Sequence, residues 1–151
     1  MFTLLVSNAN VLLESFDLFT ERGFSATRLE DVASRAGLSK ASIYLYFKDK
    51  MSLLKALTQE TVGANIAVAG SLIAQHKGPA EPLLRQILAI MAGQMAEGRL
   101  PHLIKLIVSE SRAHPEIGRW YLENVIGQAL PLFSSLIEKG VLARWARTLS
   151  T

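Results

Sequence analysis

Residues 27 to 50, TRLEDVASRAGLSKASIYLYFKDK, decide the fold, and three positions within them set its geometry. Ala33 is a small residue where two helices can cross closely. Gly37 follows where a turn must accept a positive φ, and Ile43 lies further on, placed to pack a third helix onto a second. Small residue, glycine and aliphatic residue in that order form the pattern of a helix-turn-helix. Either Ser25 or Thr27 can cap the second helix: Thr27 with Glu30 matches a capping box ahead of a buried face of Leu29, Val32, Ala33 and Ala36. Ser39 can cap the third, which runs to about Tyr46. Its apolar contacts are Leu38, Ile43 and Phe47, with Ser42, Leu45 and Tyr46 on the other side. A helix presented in this way enters a major groove N-terminus first, so Ser39, Lys40, Ala41 and Ser42 are placed to touch base edges.

Upstream, Leu12, Phe16 and Phe19 fall at helical spacing, and Gly23 supplies a stop, which predicts a first helix. The apolar start, MFTLLVSNANVLLES, lacks the positive charge and cleavage site of a signal peptide and reads as the lead-in to that helix. Downstream, a longer helix is expected from Lys50 to about Gln75, closed by a cationic turn, a glycine cap and a proline stop at His76, Lys77, Gly78 and Pro79. Further helices are expected from Glu81 to Ala96, from His102 to Arg112, and from Pro115 to Lys139. The last has a kink at Pro131 and a stop at Gly140, and the remaining GVLARWARTLST extends it or frays. With no strand signal, the class is all-α. A three-helix head over residues 1–57 is joined by a long helix to a helical ligand-binding and dimerisation body over residues 58–151.

Composition excludes several functions. Half of the 151 residues are hydrophobic and 19% are charged, a composition that folds. Cysteine is absent, which removes disulfides, thiolate metal sites and a cysteine nucleophile, and suits a cytoplasmic protein. The longest uncharged stretch, Thr61 to Gln75, falls short of the roughly 20 apolar residues of a membrane span, so no membrane partner is expected. His76, His102 and His114 lie in separate segments without metal spacing, and no glycine-rich phosphate loop, nucleophile elbow or acid–base set is present. No metal, cofactor or catalytic activity is expected. The net charge of +3 is mild, but its placement is not uniform: Lys40, Lys48, Lys50 and Lys55 face Asp49 alone between Leu38 and Thr58.

Gly23-Phe24 through Thr27, Val32-Ala33, Ala36-Gly37-Leu38-Ser39-Lys40, Ile43-Tyr44, Tyr46-Phe47-Lys48-Asp49-Lys50 and Leu53-Leu54 together resemble the N-terminal domain of TetR-type regulators, nearly continuously from Val11 to Leu57. The resemblance implies a transcriptional regulator, most often a ligand-responsive repressor, that binds palindromic double-stranded operator DNA as a homodimer and senses a small-molecule effector. It implies phosphate contacts for Thr27, Tyr46 and Lys50, base contacts for Lys40, Ala41 and Ser42, and an intermediate place for Tyr44. Ser39 and Lys48 complete the expected DNA-binding set.

Beyond Thr58 the likeness is architectural only. Met91, Met95, Trp120, Tyr121 and Phe133 are candidates for a ligand pocket, and Leu122, Ile126, Leu130, Phe133 and Ile137 for a dimer interface. The chain departs from the family in two ways: residues 2–10 carry no basic side chain, and it ends after the first of two expected long helices. It is then a shortened member, a truncated reading frame or a fragment. The alternative function is a helical sensor or interaction module whose DNA binding is impaired because the dimerisation region is incomplete.

Overall fold

A computed structural model describes the backbone of residues 2–149 and the side chains of residues 8–96, 98–141 and 144. The helices are α1 (Phe2–Arg22), α2 (Leu29–Arg35), α3 (Lys40–Tyr46), α4 (Lys50–Thr58), α5 (Ala64–Gln75), α6 (Ala80–Glu97), α7 (Leu100–Glu110), α8 (Pro115–Tyr121) and α9 (Gly127–Leu149). No strand occurs among the described residues, so the chain is all-α as its sequence predicts. Ser150 and Thr151, at the end of the stretch expected to extend or fray, lie outside the described residues.

Two π-helical turns interrupt the pattern, at Gln59–Gly63 and Leu122–Ile126. At each, side chains compete with backbone N–H groups for helical carbonyls. Thr58 and Thr61 donate to the carbonyls of Leu54 and Leu57, both at 2.8 Å, and Asn124 donates to that of Trp120 at 2.9 Å. The expected single helix from Lys50 to Gln75 is thereby divided.

The chain forms two compact units. The first combines residues 1–61 with residues 102–118, so the head includes a segment that the sequence assigns to the body. Its buried residues include Phe16, Leu18, Phe19, Val32, Ile43, Leu53 and Leu57 from the N-terminal helices and Leu103, Leu106, Ile107 and Ile117 from the later segment. Arg35 on α2 bridges two carboxylates of α1, Glu14 at 3.0 Å and Glu21 at 2.8 Å. Glu110 ties the later segment to the α1–α2 turn. Its carboxylate accepts from the Phe24 backbone N–H at 3.0 Å and from the Ser25 hydroxyl at 3.1 Å, and that hydroxyl also lies 2.9 Å from His114 Nε2. Glu110→Ala leaves a half-buried amide without its acceptor, and we expect it to cost about 1–2 kcal/mol, read as a lower denaturant midpoint with an unchanged slope.

The second unit comprises residues 62–101 and 119–151. Its core is Ile73 of α5, Leu83 and Ile87 of α6 and Leu136 of α9, with Leu72, Leu84, Leu132 and Phe133 packed against it. Helix α9 passes Pro131 and continues beyond Gly140, where the sequence predicts a stop. Gly140 acts here as a close-approach residue: a Cβ built on it would lie 3.2 Å from the Ala80 Cβ, so its hydrogen side chain lets α6 and α9 meet.

Candidate nucleic-acid interface

Helix α2 starts at Arg28, not at Ser25 or Thr27 as the capping pattern suggests. The Asp31 carboxylate accepts from the Arg28 N–H at 3.2 Å, and Glu30 is free to point elsewhere. The helix ends in a Schellman turn. Leu38 N–H donates to the Ala33 carbonyl at 2.8 Å and Gly37 N–H to that of Ser34 at 3.2 Å, with Gly37 at φ +70°. A side chain with a Cβ would be strained at that angle, so glycine sets the sharp turn between α2 and α3. Ser39 then caps α3, its hydroxyl accepting from Ser42 N–H at 3.1 Å and lying 2.7 Å from the Ser42 hydroxyl.

Ile43 is fully buried, as are Val32 and Ala33 on α2. Burying Ile43 turns the opposite side of α3 outward, because a residue two positions away along a helix points to the far face. That side carries Ala41 and Leu45; Lys40, Tyr44 and Tyr46 are also exposed around the helix, and Lys48 is exposed just beyond it. Leu45 stands at its centre, 84% exposed. Sequence reasoning placed Leu45 on this side without counting it as a contact, since a leucine in a short helix reads as packing.

One carboxylate governs the outward face. Glu30 Oε1 lies 3.0 Å from Lys40 Nζ and accepts from the Tyr44 hydroxyl at 3.1 Å. The bond from Lys40 holds the Glu30 carboxyl below its ordinary range, and the same carboxylate pushes both the Lys40 ammonium and the Tyr44 phenol upward. Glu30 was read only as a capping partner, and no spacing rule within one helix connects it to α3.

Two of the residues expected to contact phosphate are engaged within the DNA-free head. Thr27 is 1% exposed, and its hydroxyl donates to the carbonyls of Gly23 at 2.8 Å and Leu18 at 3.3 Å, so it fastens the end of α1. Lys50 Nζ donates to the carbonyls of Phe24, Ser25 and Thr27 at 2.8, 3.0 and 3.3 Å and stands 4.6 Å from the centroid of the Phe24 ring. Its charge closes the α1–α2 turn from within.

Residues 11–57 match the family model described as bacterial regulatory proteins, tetR family. The N-terminal part of the chain is similar to that family. Over 101 residues it is 34% identical to the HTH-type transcriptional regulator AcrR of Shigella flexneri, covering 65% of this chain and 46% of that protein. Over 79 residues it is 33% identical to the HTH-type transcriptional regulator YerO of Bacillus subtilis strain 168, covering 51% of this chain and 27% of that one. The chain thus spans less than half the length of these curated relatives. Among solved structures it resembles a TetR family transcription regulator from Marinobacter aquaeolei VT8, with a TM-score of 0.65 at 25% identity, over 91% of this chain and 71% of that one. These relatives are regulators of transcription by name. None of its described helices is long and apolar enough to cross a membrane.

The residues proposed for a pocket and a dimer are dispersed. Met91 and Met95 continue the stripe of Leu83 and Ile87 along α6 but are 44% and 49% exposed, where the first two are buried. Trp120 and Tyr121 are half-buried, and burial pushes the Tyr121 phenol upward. Leu122, Leu130 and Ile137 are exposed and Ile126 is half-buried, whereas Phe133, also half-buried, packs against the core of the second unit.

Proposed function

We propose that the chain is a cytoplasmic, ligand-responsive repressor that binds a palindromic operator as a homodimer. The observation that carries DNA binding is α3 itself, where Ala41 and Leu45 stand opposite the buried Ile43 and Ser39, Lys40, Tyr44 and Tyr46 are exposed around them, with Ser42 half-buried. Serine hydroxyls and a lysine read base edges, and the leucine offers an apolar surface for a thymine methyl group. Lys48 and Tyr46 supply phosphate contacts that orient the head without reading sequence.

Dimerisation is supported by α9, whose exposed Leu130, Ile137 and Val141 lie on one side of the helix at spacings of seven and four residues. The half-exposed Met91 and Met95 offer a soft apolar surface to a small effector. Effector binding then shifts the balance between dimers that match the spacing of two half-sites and dimers that do not.

Selection of bound duplexes from a random DNA pool tests the reading: a palindromic consensus is expected, and recovery of no preferred sequence would overturn it. On the selected site, Lys48→Ala should weaken all duplexes alike and reduce the slope of log K against log salt by about one. Ser42→Ala should instead alter preference at one position of each half-site, costing on the order of 1–3 kcal/mol there. An unchanged preference profile removes Ser42 from the base-reading set.

A further inference from the structure

We propose that Glu30 is a specificity-determining positioning residue, an internal anion that holds Lys40 and Tyr44 against α2 and lowers affinity for DNA that lacks the right sequence. The inference rests on the DNA-binding reading of α3. Its geometry is a three-group contact between two helices. Lys40 and Tyr44 are one turn apart on α3, and both converge on the same oxygen of Glu30, at 3.0 and 3.1 Å. Neither side chain is buried: Tyr44 is 45% exposed and the Lys40 side chain 71%. Both would otherwise be free to meet whatever anion approaches this side of the head.

A DNA phosphate and the Glu30 carboxylate are rivals for the same donors. Phosphates are present along every duplex, so any lysine free to reach them adds affinity without information. A carboxylate within hydrogen-bond reach changes that balance in two ways. It supplies Lys40 with a partner that a phosphate must displace, and its own charge repels phosphates on that side. An exposed ion pair is weak enough for a well-placed base edge to compete with it. Lys40 and Tyr44 are therefore released only where the groove offers a matched set of acceptors, and the penalty falls mainly on non-operator DNA. Glu30 stays ionised throughout the neutral range, because Lys40 holds its carboxyl below the ordinary value. The restraint is thus constant under the conditions in which DNA is bound.

Glu30→Gln keeps size and hydrogen-bonding capacity but removes the charge. For this variant we expect affinity for a random-sequence duplex to rise roughly 3- to 10-fold, with a salt slope steeper by about one, as Lys40 becomes available to phosphate. Affinity for the pool-selected duplex should rise less, so the specificity ratio falls. In a Lys40→Gln background the same Glu30→Gln change should leave the slope alone; an equal steepening there would mean a general charge effect and overturn the positional role.

A DNA-free readout separates the two layers of the argument. Spectrophotometric titration of the phenols, with Tyr44→Phe identifying the Tyr44 signal, should show that ionisation moving down in Glu30→Gln. If it moves and random-duplex binding is unchanged or weaker, the proposal is overturned while DNA binding stands. If it moves and the unmodified protein holds no duplex of any sequence, the DNA-binding reading fails and takes the proposal with it. If it does not move, the contact itself is absent in solution and the proposal falls.

Discussion

Lys50→Met lowers the melting temperature of the DNA-free protein by roughly 4–8 °C, the equivalent of about 2 kcal/mol in a chain of this size. The residue is half-buried, and its ammonium gathers three carbonyls of the α1–α2 turn, those of Phe24, Ser25 and Thr27, at 2.8, 3.0 and 3.3 Å. Carbonyls that point toward one another repel, and a cation at their focus turns the repulsion into the force that shapes the turn. Methionine keeps the length and apolar character of the stem, but donates nothing and removes the cation that stands over the Phe24 ring. Water can reach some of the freed carbonyls, which keeps the estimate well below the sum of three charge-assisted bonds. Lys50→Arg should recover only part of the loss, because a planar guanidinium does not match three converging acceptors as an ammonium does. A phosphate role for Lys50 makes the opposite forecast, with an unchanged melting temperature and a salt slope reduced by about one. Thermal melts and salt titrations of the same variant therefore decide between the two.

The head was legible where its determinants are local. Gly37, Ser39 and the spacing of Val32, Ala33 and Ile43 announce a turn, a cap and a buried seam from within one short stretch, and each stands in the structure as the pattern predicts. What escaped is non-local or depends on competition between donors. Nothing near Glu110 indicates that its carboxylate meets the Phe24 amide, 86 residues away. Lys50 reads as a solvated lysine at a helix start until α1 brings three carbonyls beneath it. Thr27 has the right spacing from Glu30 for a capping box, yet its hydroxyl finds two carbonyls at the end of α1, and Asp31 caps α2 instead. The outward side of α3 could be derived from the single fact that Ile43 is buried. The Glu30 contact required knowing how α2 and α3 cross.

In the second unit, the largest effect is expected from Phe133→Asp, and that effect is a loss of folding stability. Phe133 packs against the core formed by Ile73, Leu83, Ile87 and Leu136. Removing a fully buried aromatic ring costs about 3–5 kcal/mol, the half-buried Phe133 loses a share of that, and an unpaired carboxylate facing the core adds a desolvation penalty. A loss of that size is a large share of the stability of any single domain. Loss of dimer in this variant would consequently say nothing about an interface. Ile137→Asp asks the cleaner question. Ile137 is 54% exposed on the side of α9 that also carries Leu130 and Val141, so a charge there should change folding stability by no more than about 0.5 kcal/mol. In a two-fold dimer built on that side the substitution appears twice, once from each copy, and the like charges are brought together where apolar surface was to be buried. Circular dichroism should show Ile137→Asp helical and cooperatively folded, with Phe133→Asp losing helix at the same temperature. Light scattering over a dilution series should then show the unmodified chain associating and Ile137→Asp remaining a monomer at concentrations where the unmodified chain is a dimer. A folded Ile137→Asp that still associates would place the contact on another surface, and the half-exposed Met91 and Met95 stripe of α6 would be the next to receive a charge.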